Sequence, residues 1–374
     1  MATDLLIVHT AGPASTGPNS PTIAVAEEAR ARGLNVETLE LFEDAPRSLG
    51  FLYAQFHATG RARLPRLYGR AVAVKGVDAE AYVRLRNLAN RSVFRHFLQR
   101  VRELSPRAIV ATHPLPMTVL GPARVRGDVD CELFGVVTQR RAHAAWAQPG
   151  VDAYCVPGTE ALFDLMKGGI ESGRVRIDGF PVSRAFYNVS ELRSPGAGEP
   201  HRVLVNASSL GASELRDIIR SFARCVHVHV DVLCGLDDDL RTFADQELER
   251  ALVRGDALGY VASRADEIAR AHVFVAHADG PATHEAMAAG RPMISVNATT
   301  AAELANERAL FQAHAGHAAR ASDVGPLFAE LLAADALGRL GSNGRRASHG
   351  RAATSIVDRI TARPVERSAD GSAA

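Results

Sequence analysis

Residues 135–158 read GVVTQRRAHAAWAQPGVDAYCVPG: an apolar run that stops at Thr138, a basic pair, the only tryptophan of the chain, and a second apolar run closed by Val-Pro-Gly. Short apolar runs bounded by polar, Gly and Pro residues read as buried strands, here ELFGVVTQ and VDAYCVPG. The loop between them holds His143, Trp146 and Pro149. Around this pair the pattern continues, with RAIVATHP as a strand before it, EALFDLMKGG as a helix and RVRIDGFPV as a strand after it. Each strand ends in polar or Gly/Pro residues, and such ends are where open α/β sheets take ligands.

The chain begins the same way. DLLIVHT is an apolar run that leads into the loop AGPASTGPNSP, TIAVAEEARARG has helical spacing with a glycine stop, and LNVETLELF alternates as a strand. After ELRSPGAGEP, a linker by composition, the alternation restarts. HRVLVNASSLGAS enters a helix at 213–224, VHVHVDVLCG is a strand, and DDLRTFADQELERAL is a helix. ALGYV, ADEIARA, HVFVAHADG, ATHEAMAAG and RPMISVN carry the pattern on. The expected fold class is therefore α/β, two Rossmann-like doubly wound domains facing a cleft. A length of 374 residues agrees with two domains. The expected division is 1–189, a linker at 190–200, a second domain at 201–345, a C-terminal helix at 346–363 that sequence assigns to neither domain, and a disordered tail at 364–374.

Composition narrows the function. The 43 basic residues nearly balance the 42 acidic ones, so no global field recruits nucleic acid, and electrostatics must come from local patches. Lys75 and Lys167 are the only lysines, a bias toward arginine that fits a GC-rich genome. Cys131, Cys155, Cys225 and Cys234 lie far apart in apolar runs without metal-ligand spacing, which predicts buried thiols in a reducing compartment and no metal site. Without a leader-like start or a run of spanning length, the expected location is the cytoplasm.

The ordered motifs resemble monogalactosyldiacylglycerol synthases and processive diacylglycerol glucosyltransferases over roughly residues 4 to 320. Thr138, His143, Trp146, Val151, Asp152, Tyr154, Gly179, Pro181 and Val182 match at the family's spacing, as do LPRLYGRA and the Thr112-His113-Pro114 strand end. The resemblance implies a GT-B glycosyltransferase that transfers a hexose or N-acetylhexosamine from a UDP-sugar to a lipid hydroxyl, with inversion and without a bound metal or cofactor. Donor contacts then fall on Ser208, Ser209 and Gly211 in the first loop of the second domain, Gly259 and Tyr260 beside the base, Asp279, Gly280 and Thr283 at a helix start, Glu285 on the ribose hydroxyls, and Glu303. Asn19, Gln139 and Trp146 fall on the acceptor side, where Trp146 reads either as a loop anchor or as an acceptor-stacking ring.

The chain departs from the family where chemistry is concentrated. Pro18 stands at the family's histidine and Gln139 at its aspartate, so the base passes to His113, His143 or His9, each of which also reads as a strand-end cap. Ala302 replaces a family glutamine that contacts the donor sugar. Phe51 and Phe56 with Arg61, Arg63, Arg66 and Arg70 suit an anionic membrane surface, the region of the family's acceptor-loading face, or else a solvated helix over a core stripe. The expected partners are a UDP-sugar and a lipid or small-molecule acceptor, with peripheral contact at the inner membrane face. Two alternatives stay open: a glycosyltransferase for a soluble metabolite or nucleoside, and a nucleotide-sugar-binding protein that has lost turnover.

Overall fold

A computed structural model describes residues 3–10, 20–43, 87–88, 90–196, 198–261, 263–348 and 350–362. The first sheet is built from β1 (Leu5–His9), α1 (Ser20–Ala31), β2 (Val36–Glu40), α2 (Arg95–Leu104), β3 (Ala108–Ala111), α3 (Pro114–Val125), β4 (Glu132–Val136), β5 (Ala153–Val156), α4 (Thr159–Lys167) and β6 (Val175–Ile177). Its six strands lie parallel in the order β2-β1-β3-β4-β5-β6. A short α5 (Arg184–Tyr187) leads to the second sheet, built from β7 (His201–Asn206), α6 (Ala212–Ser221), β8 (Val228–Leu233), α7 (Asp238–Ala251), β9 (Ala257–Leu258), α8 (Arg264–Arg270), β10 (Val273–Ala276), α9 (Gly280–Ala288), β11 (Met293–Val296), α10 (Ala301–Gln312) and β12 (Gly316–Ala319). Helices α11 (Val324–Ala333), α12 (Leu337–Ala347) and α13 (Ala352–Thr361) finish the chain. The second sheet is also parallel, in the order β12-β11-β10-β7-β8-β9.

The apolar runs are continuous because the central strands are covered on both faces. On one face of the first sheet Leu6, Val8, Ile109, Leu133 and Trp146 pack with α2, α3 and α4; on the other Leu5, Ile7, Val110 and Phe134 pack with α1. β4 and β5 are locked by one pair. Gly135 lies opposite Tyr154, and a Cβ on Gly135 would stand 2.6 Å from the Tyr154 ring. The first residue of the decisive stretch is thus glycine because an aromatic ring occupies the space a side chain would need.

The cores do not follow the expected division at 189. Phe180, Val182, Phe186 and Val189 pack into the second domain's cluster with Leu204, Phe274 and Met287. Conversely, α13 returns to the first sheet, where Ile356, Val357 and Ile360 join Leu5 and Phe134. Polar ties fix this exchange: Arg32 to Asp358 at 2.5 Å, Arg359 Nη1 to the Tyr154 carbonyl at 3.0 Å, and Ser183 Oγ to Glu27 at 2.6 Å. Both crossings strap the two sheets to each other.

Candidate functional site

In each sheet the chain reverses its direction of strand addition once, between β1 and β3 in the first and between β7 and β10 in the second. A crevice opens at the carboxyl ends of the strands at each such point.

Among the described residues, the first crevice presents a histidine and three threonines, with Glu43 the nearby charge that acts on His9. His9 ends β1, is 4% exposed, and has no described hydrogen-bond partner for Nδ1. Burial lowers its pKa below the usual 6.5, only partly offset by Glu43, so the imidazole is neutral at pH 7. Thr112 follows β3 and shares a 2.7 Å hydrogen bond with Thr22 of α1, while Thr138 donates to the Thr112 carbonyl at 3.3 Å. The other two histidines expected as bases are helix caps. Nδ1 of His113 accepts from the Leu115 N–H at 3.2 Å, and Nδ1 of His143 accepts from the Ala145 N–H at 3.0 Å. A ring nitrogen that accepts holds no hydrogen and is occupied, so neither His113 nor His143 can take a proton there without giving up its cap.

Of the two readings of Trp146, burial favours the loop anchor over acceptor stacking. Trp146 is completely buried, and a ring inside the core offers no face to an acceptor. It anchors the loop instead: the Tyr154 hydroxyl donates to the Trp146 carbonyl at 2.7 Å, and burial pushes the Tyr154 pKa up to about 12. Gln139 is half-buried just past β4. Asn19, Phe51, Phe56, Arg61, Arg63, Arg66 and Arg70 lie outside the described residues.

The second crevice is lined by carboxylates. Glu285 on α9 is fully buried, its Oε1 held by Arg264 Nη2 at 2.6 Å, while Oε2 has no partner among the described residues. Burial raises the Glu285 pKa, against the opposing pull of Arg264 and a hydrogen bond from Ser20, the first residue of α1 in the other domain. The buried Thr283 hydroxyl, two positions earlier, likewise lacks a described partner. Gly280 lies against the first domain. A Cβ there would meet the Thr138 carbonyl at 3.0 Å and the Phe180 ring at 3.1 Å. His284 stacks on Phe180 with centroids 4.4 Å apart, which fixes α9 against the crossing segment.

Helix N-termini around this crevice already carry the chain's own acids. Asp279 caps α9, accepting from the Ala282 N–H at 2.7 Å. Glu303 forms a capping box with Thr300 on α10, its Oε2 accepting from the Thr299 and Thr300 N–H groups at 3.0 Å each. Asp279 and Glu303, expected as donor contacts, are thus committed to helix starts. Gly211 is the N-cap of α6, and Glu214 three residues on is held by His277 Nε2 at 3.0 and 3.1 Å and Asn297 Nδ2 at 2.7 Å. Ser208 and Ser209 are exposed beside it, with Ser208 Oγ donating to Asn206 Oδ1 at 2.8 Å. Gly259 follows β9, and the Tyr260 ring next to it is 69% exposed.

Arg264, Glu214 and Asn297 escaped the sequence reading. Signals existed: Glu214 has capping-box spacing from Gly211, and Asn297 directly follows the apolar run of β11. Arg264 had none, because its partner Glu285 lies 21 residues on, with a strand between them.

The match to the monogalactosyldiacylglycerol synthase family model covers residues 23–182. Among curated proteins, an uncharacterized glycosyltransferase of Bacillus subtilis, YkoN, is 22% identical over 67% of this chain and 66% of its own length. The processive diacylglycerol beta-glucosyltransferase of Staphylococcus carnosus is 25% identical over 54% of this chain and 52% of its own. The matches thus span between about half and two thirds of those relatives. Among solved structures, Acinetobacter baumannii MurG superposes with a TM-score of 0.62 at 16% identity, covering 96% of this chain and 100% of its own. Staphylococcus aureus MnaA, solved with UDP, gives 0.61 at 13% identity, covering 96% of each chain. The described chain thus has the two-sheet GT-B fold, and its residues 23–182 match the monogalactosyldiacylglycerol synthase family model.

Proposed function

We propose that this chain transfers a hexose or N-acetylhexosamine from a UDP-sugar, held in the second crevice, to a lipid hydroxyl that approaches the first. One observation carries the reading: a fully buried carboxylate, Glu285, with one oxygen tied to Arg264 and the other left for a hydroxyl donor. A buried acceptor without a partner costs about 1 to 3 kcal/mol, which a ribose hydroxyl would recover. The UDP found with MnaA and the diacylglycerol in the staphylococcal relative's name support donor and acceptor respectively.

In this reading His9 takes the proton of the acceptor hydroxyl at Nδ1. The freed oxygen forms a bond to the sugar C1 from the face opposite the phosphate, and the C1–O bond to UDP breaks with its electrons leaving on the β-phosphate. A neutral imidazole is the form this step requires. No described helix is long and apolar enough to cross a membrane, so contact with a lipid acceptor would be peripheral.

Calorimetry with UDP-glucose, UDP-galactose and UDP-N-acetylglucosamine, with product detection, tests the reading. We expect binding that Glu285→Gln weakens by roughly 1 to 3 kcal/mol. Absence of binding by every UDP species overturns the donor assignment. A second reading, binding without transfer, is favoured by the carboxylates that cap the crevice helices, and nucleotide binding without product under any lipid or soluble acceptor would select it.

A further inference from the structure

Glu214 sits in surroundings that suit a phosphate better than a carboxylate. It lies at the start of α6, between the carboxyl ends of β7 and β10, the place where doubly wound sheets bind phosphate on backbone N–H groups. Its carboxylate accepts from His277 Nε2 at 3.0 and 3.1 Å and from Asn297 Nδ2 at 2.7 Å. Those donors follow two different strands, β10 and β11. A carboxylate only accepts, so His277 Nε2 must carry hydrogen here. Asn297 reaches Glu214 from a left-handed backbone conformation, φ 45°, which few residues other than asparagine, aspartate and glycine adopt at low cost. Burial by itself would raise the Glu214 pKa, but the bonds from His277 and Asn297 outweigh it and lower the pKa, so the group is anionic at neutral pH.

We propose that Glu214 is an internal anion seated in the diphosphate cradle of the second crevice, and that a nucleoside diphosphate enters only by expelling it. The inference rests on the proposed donor site and adds a gate to it. The donors that hold Glu214 are those a diphosphate would use, and two negative groups cannot share them without strong repulsion. Glu214 therefore lowers nucleotide affinity in the resting protein, and removing it should strengthen binding, the opposite of removing a ligand contact. Neither Arg264 nor Glu285 takes part in this exchange, so the ribose contact and the gate are separable.

Titration of UDP and of uridine into wild type, Glu214→Gln, Glu214→Ala and Glu285→Gln tests it. We expect UDP to bind both Glu214 variants at least tenfold more tightly than wild type, with uridine, which has no phosphate, binding all of them alike. Glu214→Gln keeps the side chain's volume and carries the test if the alanine variant melts early. Equal or weaker UDP binding by the Glu214 variants, with Glu285→Gln still lowering affinity, overturns the gate and leaves the donor site standing. Failure of every protein to bind UDP overturns the donor site and the gate with it.

Discussion

The two crevices share one topology and differ in charge. At the first, His9, Thr112, Thr22 and Thr138 present a neutral imidazole and hydroxyls linked to each other and to backbone. At the second, Glu214, Asp279 and Glu303 crowd the helix starts and Glu285 lies further along α9, each held by a donor of the chain itself. A helix N-terminus is stabilised by any negative group, whether a bound phosphate or a side chain. The second domain satisfies its helices with carboxylates, so a nucleotide there must compete with local structure, whereas the first domain leaves a ring nitrogen uncommitted. On the proposed reading, proton chemistry falls to one side and anion exchange to the other.

The sharpest way to break the contrast is through the histidines. His9→Gln should lower kcat by about 10² to 10⁴ with KM little changed, the usual contribution of a positioned base. His113→Ala and His143→Ala should lose about 1 kcal/mol of stability as caps and keep kcat within roughly tenfold. An equal kcat loss in either cap variant would return the base to that residue. The pH profile gives an independent check: because burial holds the His9 pKa down, the acid limb of kcat should lie below pH 6.5.

On the second side, Arg264→Met should cost about 3 kcal/mol of unfolding free energy, the low end for breaking a buried pair because Arg264 is 35% exposed. It should also weaken UDP binding, since burial, no longer opposed by Arg264, would raise the Glu285 pKa further and favour its neutral form. Arg264→Lys should recover part of both. Denaturant melts beside UDP titrations measure the two effects, and an Arg264→Met protein of wild-type stability would mean that the pair contributes nothing net.

Much of this contrast was legible in the sequence, and the rest was hidden for identifiable reasons. Continuous apolar runs such as LLIVH, RVLV and VFVA marked strands buried on both faces, and the order of motifs from Thr138 to Val182 pointed to the family whose model matches residues 23–182. β12, read by no pattern, is the sequence GHAA on a sheet edge with His317 and Ala318 exposed, so it lacks an apolar signature. The return of α13 to the first sheet is set by Ile356, Val357 and Ile360, whose spacing states that one face is buried without stating against what. Trp146 was ambiguous because a ring beside a strand end is equally at home in a core or against a ligand. Capping and ligand binding draw on the same residue types at the same positions, which is why Asp279 and Glu303 read as donor contacts.

Acid sensitivity should follow from the same histidines. His9, His201 and His272 all have pKa values lowered by burial, and His272 is further lowered by nearby His201, whose ring centroid is 5.3 Å away. The unfolded chain binds protons at these sites near pH 6.5 while the folded chain does not. Their contribution to stability is therefore complete above pH 6.5 and is lost as pH falls through the lowered values. Melts between pH 8 and pH 5 should show this decline, and a flat profile would mean that the rings are hydrated.

The smallest expected effect tests where the two crevices meet. Gly280 has an ordinary backbone, but an added methyl would press on the Thr138 carbonyl at 3.0 Å and the Phe180 ring at 3.1 Å, both on the first-domain side of α9. Gly280→Ala should cost about 1 kcal/mol, the low end for overpacking, because a shift of a few tenths of an ångström relieves both contacts. That shift moves α9, and with it Glu285, away from Ser20 and β4. If the crevices act on one substrate pair, transfer should then fall more than UDP binding does, since binding needs only the second domain and transfer needs both. Equal losses in the two would mean that Gly280 serves the nucleotide alone, and the neutral and acidic crevices would then work as separate sites.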